Sequence, residues 1–311
     1  MRYTTYHTYC LKTFGRRMQK LAIDAGFGCP NRDGTLGTGG CTFCNNAAFS
    51  PAYCQPTKSI AQQIDEGVRF YGRRNRGGCG YLAYLQSFSN TYARLEILKE
   101  KYAEALSHPQ IEGLVIGTRP DCVDGERLDY IAALGGRHYV MLEYGIESCY
   151  DATLAGVGRG HDFAATVSAI RATAERGIPC GGHLILGLPG ESREDMVAEA
   201  EILSGLPITS LKLHQLQLLR GSQMGRDYGG GVSWEPFALE EYVCLVCDFL
   251  ERLRPDIVVE RLAGEVPPRY QVGPGCGWRH ADGRPVRSGD LCLMVDAELG
   301  RRGTAQGIFF N

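Results

Sequence analysis

The sequence contains no apolar run approaching the ~20 residues that a membrane-crossing helix requires. Its N-terminus lacks the basic, apolar and small-residue order of a secretory signal. Positive charge is not in excess: 33 Lys and Arg stand against 35 Asp and Glu, for a net charge of −2. A global nucleic-acid signature is therefore absent. Low-complexity tracts and long linkers are absent too. These absences point to a cytoplasmic chain with no membrane partner. Its 311 residues, 44% of them hydrophobic, suit one large α/β domain, alone or with a small appendage. Cysteine, by contrast, is plentiful. Thirteen is an odd and large number for a secreted protein of this size, whereas in a reducing compartment they need not pair and a few can hold a metal.

Three of them have an informative spacing. Cys29, Cys41 and Cys44 lie as C-x11-C-x2-C in a loop rich in Gly, Asn and Asp, with an aromatic, Phe43, just before the last. Such a loop folds tightly, and three thiolates can hold three corners of a four-iron cube while leaving the fourth iron open. Structural zinc wants four ligands. No His or Cys lies between Cys44 and Cys54, and Cys54 has no pair partner nearby. A catalytic zinc with three cysteines and a water, or three separate buried thiols, are the other readings of the triplet.

Short β-rich apolar runs alternate with helical patterns, which argues for parallel βα units. Strands are expected at residues 21–25, 81–85, 113–116, 139–143, 182–186 and 209–218. Helices are expected at 60–74, 95–106, 127–134, 194–203 and, capped by His161-Asp162, up to Gly177. About six βα units are too few for an eight-stranded barrel and fit a partial (β/α)6 barrel, open on one side. Chemistry then belongs at the carboxyl ends of the strands. Residues 1–235 form this core, with the cysteine loop at 26–46. Residues 236–311, with a helix at 239–253, a strand-like run at 257–259 and a loop at 273–278, read as a C-terminal extension packed on it.

The whole chain resembles the bacterial Fe–S oxidoreductase family of radical S-adenosylmethionine (SAM) proteins related to the radical SAM domain of the Elongator catalytic subunit. The segments that carry this are the cysteine loop, Tyr84–Tyr92, Gly117–Cys122, Leu142–Ser148, Arg159–Phe163, Leu186–Glu191 and Lys212–His214 through Ser222, all in family order. The resemblance implies a [4Fe-4S] cluster on the three cysteines, SAM as cofactor, an external electron donor of flavodoxin or ferredoxin type, and reductive cleavage of SAM to abstract hydrogen from a substrate. It places Phe43, Gln86, Ser87, Glu147, Arg159, His183 and Gly187 around the cofactor, and Lys212 and His214 beside the substrate. Gln86 and Ser87 fall where such enzymes contact the SAM amino group. In the more distant oxygen-independent coproporphyrinogen oxidases, the segment matching Gly145-Ile-Glu147 carries a Gln that touches SAM, the residue matching Arg159 is an Arg that does so too, and an Asp ligand stands where this chain has His183. The rival readings are a helix-capping or surface ion pair for Arg159, a satisfied core residue for His183 and an ordinary strand-to-helix turn at Gly187.

Two departures matter. Gly117 stands where many relatives carry a Glu that contacts SAM, so that role is dropped or moved to Glu143 or Glu147. The acetyltransferase domain of Elongator has no counterpart here. Kinship with Elongator suggests a tRNA wobble uridine as substrate, and phosphate contacts from two basic clusters, Arg16, Arg17 and Lys20, and Arg69, Arg73, Arg74 and Arg76, are compatible with it. The bland reading of those clusters is a solvated helix face. A small metabolite or a peptide is the other substrate class, and a SAM-independent iron–sulfur or zinc sensor is the other functional class. Cys244 and Cys247 share one helical face and read as core packing, while Cys276, in a Gly-Pro loop, is a candidate functional thiol.

Overall fold

The computed structural model describes residues 1–72, 78–273 and 277–310. Arg73, Arg74, Arg76 and Cys276 lie outside the described residues. The sheet consists of β1 (Met18–Ile23), β2 (Gly80–Leu85), β3 (Ile111–Thr118), β4 (Tyr139–Glu147), β5 (Cys180–Leu186), β6 (Ser210–Gln215) and β7 (Val258–Arg261), all parallel and hydrogen-bonded in sequence order. The helices are α1 (Tyr6–Phe14), α2 (Ile60–Gly72), α3 (Leu95–Leu106), α4 (Gly125–Gly135), α5 (Asp151–Gly156), α6 (Phe163–Glu175), α7 (Arg193–Ser204), α8 (Gln223–Gly229), α9 (Leu239–Arg252) and α10 (Ser288–Arg302).

The partial barrel expected from six units has seven strands, because the run at 257–259 joins the sheet through Ser210↔Val258 and Leu211↔Val259. β6 stops at Gln215, short of the expected Leu218. Helix starts follow local chemistry. Asp162 accepts from the Ala165 N–H at 2.9 Å to begin α6, and Ser192 and Asp195 form a reciprocal cap on α7. The outer faces of the strands and the apolar faces of the helices make one core, which includes Leu21, Ile23, Leu85, Leu114, Ile116, Leu142, Leu184 and Leu213. Cys247 is buried in it at the contact of α9 with α10.

The barrel interior is layered. At the amino ends of the strands Met18, Leu82, Val115 and Met141 pack with Cys10, Tyr6, Tyr9 and Phe14 of α1, which plugs that end. Above them lies a charged layer. β1 and β7 are the edges of the sheet, and the chain before α1 borders β7, the Val259 N–H donating to the Thr4 carbonyl at 2.7 Å. Across this seam Lys20 reaches Glu260 at 2.6 Å. Lys20 is thus an interior ion-paired residue, which corrects its expected place in a surface phosphate patch.

Candidate functional site

The cysteine loop leaves the carboxyl end of β1 and is anchored by named contacts. The Asn31 side-chain amide donates to the Gly158 carbonyl at 2.7 Å, to the Arg159 carbonyl at 3.0 Å and to Cys41 Sγ at 3.5 Å. The Thr42 N–H donates to the Val157 carbonyl at 3.0 Å. Gly40 adopts φ 77°, and a Cβ there would stand 2.8 Å from the Arg32 guanidinium, so this turn requires glycine. Cys41 is buried, and Cys29 and Cys44 are half-buried. Burial, then the neighbouring Cys41, raises the Cys44 thiol.

All three cysteines line one open cavity of about 1310 Å³, solvent-filled mouth included, at the carboxyl ends of the strands. Phe43, Gln86, Glu147, Arg159, His183, Lys212 and His214 stand in the same wall. Ser87 and Gly187 do not. Ser87 is buried beside Cys54, and Gly187, at φ 91°, lies under the Phe237 ring, where a Cβ would come within 2.7 Å. Among the described residues no three His, Cys, Asp or Glu side chains converge to hold a single ion. A four-iron cube asks something different: three thiolates around a body rather than a point. The donors here suit thiolates. Asn31 and Arg159 both reach Cys41 Sγ, the latter at 3.6 Å, and the Arg32 guanidinium lies 3.3 Å from the Cys44 carbonyl.

Arg159 is almost fully buried. Its Nη2 donates to the Gly145 carbonyl at 2.6 Å and stands 3.5 Å from Glu147, while its Nε has no partner. Burial opposes its charge, but Glu147 and then Cys41 hold it firmly cationic. Glu147 follows a bulge in β4, where Gly145 pairs with His183 and Glu147 with Leu184, and it adopts φ 70°. Phe88, also in the cavity wall, is the other non-glycine residue with positive φ, at 62°, among those described. Such conformations cost about 1–3 kcal/mol and gather at functional sites.

Gly117 explains itself sterically: a Cβ would stand 3.0 Å from the Leu85 carbonyl oxygen, and the Gly117 carbonyl is already held by Asn90 at 2.7 Å. Of its two candidate substitutes, Glu143 is committed elsewhere. It accepts from Lys20, from Lys212 at 2.5 Å and from His183 at 3.0 Å. Burial alone would raise this carboxyl, but Lys20, Lys212 and His183 together pull it well below the carboxylate range. Lys212 also meets Glu260 at 3.0 Å and the Tyr84 hydroxyl at 3.2 Å. Burial, then the Lys212 charge, lowers His183; burial, then Arg261, lowers His214 well below its ordinary value. Both imidazoles are neutral at pH 7.

Sequence reasoning passed over Arg119, Phe88, Gln217 and Arg261, all in the cavity wall. Arg119 sits inside the Gly117–Cys122 segment that carries the family resemblance. It grips Asp121 through two bonds of 2.9 and 2.8 Å and leaves its Nη1 without a partner. Arg261 belongs to the strand that had been assigned to the tail.

Comparison with known proteins agrees with this geometry. The model of the Radical SAM superfamily matches residues 26–203, and that of the Radical_SAM C-terminal domain matches residues 208–281. The chain is 35% identical over 310 residues to the uncharacterized protein YtqA of Bacillus subtilis, covering all of this chain and 93% of the relative. A more distant match, 24% identical over 54% of this chain and 31% of the relative, is the tRNA uridine(34) acetyltransferase of Methanocaldococcus infernus. Among solved structures, the archaeal Methanocaldococcus infernus Elp3 superposes with a TM-score of 0.66 at 15% identity, over 93% of this chain and 64% of that one. The present chain therefore spans a little under two thirds of that structure.

Proposed function

Since the chain belongs to the radical SAM superfamily and is by that membership a radical SAM enzyme, we propose that Cys29, Cys41 and Cys44 hold a [4Fe-4S] cluster and that the cavity beside them binds SAM. The observation that carries this reading is the convergence of the three thiols with the Arg159–Glu147 pair on one cavity at the carboxyl ends of the strands. When bound, the cluster and SAM together supply reductive cleavage of the sulfonium and a radical that abstracts hydrogen. The residues of this chain bind and orient. Arg159 would pair its guanidinium with the SAM carboxylate, Glu147 would accept from ribose hydroxyls, and Gln86 and Phe43 would flank the cofactor. Lys20, Lys212, Glu143 and Glu260 form a closed, charge-balanced floor that excludes water from below.

The electron comes from a small flavodoxin- or ferredoxin-type donor. Among the described residues no helix is long and apolar enough to cross a membrane. For the substrate we propose a tRNA uridine, supported by the match to a tRNA uridine acetyltransferase and by the cationic cavity wall.

Two measurements test these readings. Anaerobically reconstituted protein should be brown and, with dithionite, convert SAM to 5′-deoxyadenosine; a colourless protein carrying one zinc reverses the reading in favour of a non-catalytic zinc protein. For the substrate, tRNA from a deletion strain should lack a modified uridine present in the parent, and identical nucleoside profiles would refer the activity to a small metabolite or peptide.

A further inference from the structure

Five cationic side chains stand in the cavity wall, and four have partners. Arg32 is held at the Cys44 carbonyl, Arg119 by Asp121, Arg159 by Glu147 and the Gly145 carbonyl, and Lys212 by Glu143 and Glu260. The fifth, Arg261, makes no hydrogen bond and no ion pair with any described residue. Its neighbour Glu260 is neutralised by Lys20 and Lys212. Among the described residues Arg261 is therefore the cation of this wall with neither a hydrogen-bond nor an ion-pair partner, and it stands in the wall of a second cavity at the seam between β1 and β7 as well.

Adjacent residues on a strand normally face opposite sides. Here the register shifts between Leu211↔Val259 and Lys212↔Arg261, so Glu260 is the extra residue of a β-bulge. Bulges re-aim side chains, and this one turns both Glu260 and Arg261 to the interior. Beside Arg261 lie His214, neutral and, among the described residues, held only by ring contacts with Phe49 and His183, and Gln217. The Gln217 Nε2 donates to the Gly264 carbonyl at 2.6 Å. That bond fixes the amide and leaves its Oε1, buried and without a partner, as an unmet acceptor on a side chain that lines the cavity. Gly264 itself makes room: a Cβ there would stand 2.9 Å from His214 Nδ1.

We propose that Arg261 is an oxyanion-binding subsite and Gln217 a donor-reading one, so that the substrate carries a phosphate or carboxylate together with a nearby N–H or O–H group. This deepens the radical SAM reading and rests on it for what happens to the substrate, but not for binding. A nucleotide has both groups: its phosphate meets the guanidinium fork, and a base N–H or ribose hydroxyl meets Gln217.

Equilibrium dialysis of the reconstituted protein, with SAM present, against uridine 5′-monophosphate, uridine, inorganic phosphate and succinate tests it. Uridine 5′-monophosphate should bind about tenfold or more tightly than uridine, the scale of one charge-assisted contact. Arg261→Gln should erase that difference, and Arg261→Lys should restore part of it. Gln217→Leu should weaken uridine and its monophosphate alike without affecting inorganic phosphate. Preference for succinate over both phosphate probes, still dependent on Arg261, supports the subsite and assigns a carboxylate. Anion binding that is absent, or unchanged in Arg261→Gln, overturns it. The melting temperature checks that the variants are folded. Wild-type protein that binds the anion but yields no 5′-deoxyadenosine sinks the proposed function and leaves the subsite standing.

Discussion

Lys212 and Arg261 are register partners on β6 and β7, yet the surroundings of the two cations call for opposite expectations. Lys212 is 3% exposed and joins Glu143 to Glu260. Removing it leaves two buried carboxylates sharing Lys20, and breaking a buried pair from one side costs about 3–5 kcal/mol. Lys212→Met should therefore lower the stability measured by urea unfolding by about 3 kcal/mol, while Arg261→Gln leaves it within about 0.5 kcal/mol. An unchanged unfolding midpoint for Lys212→Met would mean that the ion-paired floor contributes nothing to the fold. This also revises the reading of Lys212 as a direct substrate contact: two carboxylates already occupy its charge.

A second residue-scale expectation concerns Glu199, whose side chain is fully buried. Its Oε1 accepts from the Cys149 N–H at 2.7 Å, and its Oε2 has no partner. Burial, then the nearby Glu191, pushes this carboxyl well above its ordinary value of 4.5. The folded chain therefore holds the proton at pH values where the unfolded chain has released it. Stability falls as pH rises through the unfolded value and levels off only above the folded one. Glu199→Gln abolishes that titration. Its melting temperature should match the parent below about pH 4, the lower edge of the free carboxylate range, and exceed it increasingly as pH rises toward 7. A gap that narrows with rising pH would show that Glu199 is ionised in the fold and paired.

At the scale of elements, the strands with uniform β-rich runs were legible. The segment 81–85 became Gly80–Leu85, and 182–186 became Cys180–Leu186. What periodicity could not reveal are the bulges. β4 runs to Glu147 rather than 143 because Ile146 is the extra residue opposite the Gly145↔His183 and Glu147↔Leu184 pairs, and β7 carries two consecutive polar residues facing inward. An alternating pattern breaks at such places, so the functional ends of these strands read as loop. α10 went unseen because it opens with Ser-Gly-Asp and carries Gly300 in its last turn. The cysteine triplet stood out by its spacing, and most of the residues that the family resemblance placed around the cofactor and substrate line the same cavity.

The loop after β2 shows how strain and anchoring combine. The Ser89 N–H donates to the Gly28 carbonyl at 3.1 Å, and Asn90 is held by Tyr102 at 2.5 Å, which ties this loop to the cysteine loop. Immediately before these anchors Phe88 is kept at φ 62° and 37% exposed. A bulky residue in that conformation costs about 1–2 kcal/mol, which glycine would not incur. Phe88→Gly should leave the melting temperature equal or higher while weakening SAM binding several-fold in a titration of reconstituted protein. Loss of thermal stability with SAM affinity intact would make Phe88 a packing residue.

Taken as a whole molecule, the barrel separates its surface charge from its proposed chemistry. Arg16 and Arg17 immediately precede β1, and Arg69 lies in the last turn of α2, which returns the chain to the start of β2. All three therefore sit at the amino-end face. A six-residue strand is about 20 Å long, and the cysteines and cavity lie at its other end. Arg16 also gives part of its charge to Glu112 at 2.6 Å. If tRNA reaches the cavity mouth with a single nucleotide, these residues face away from it. The Arg16→Gln, Arg17→Gln double variant should then bind bulk tRNA with the same dependence of log affinity on log salt as the parent, whereas two lost phosphate contacts would flatten that slope by about two units. Fluorescence polarisation across a salt series measures it. A slope flatter by two in the double variant would place the RNA along the amino-end face and require a path from there to the site, for which the seam between β1 and β7, bordered by Arg17 and Arg261, is the available one.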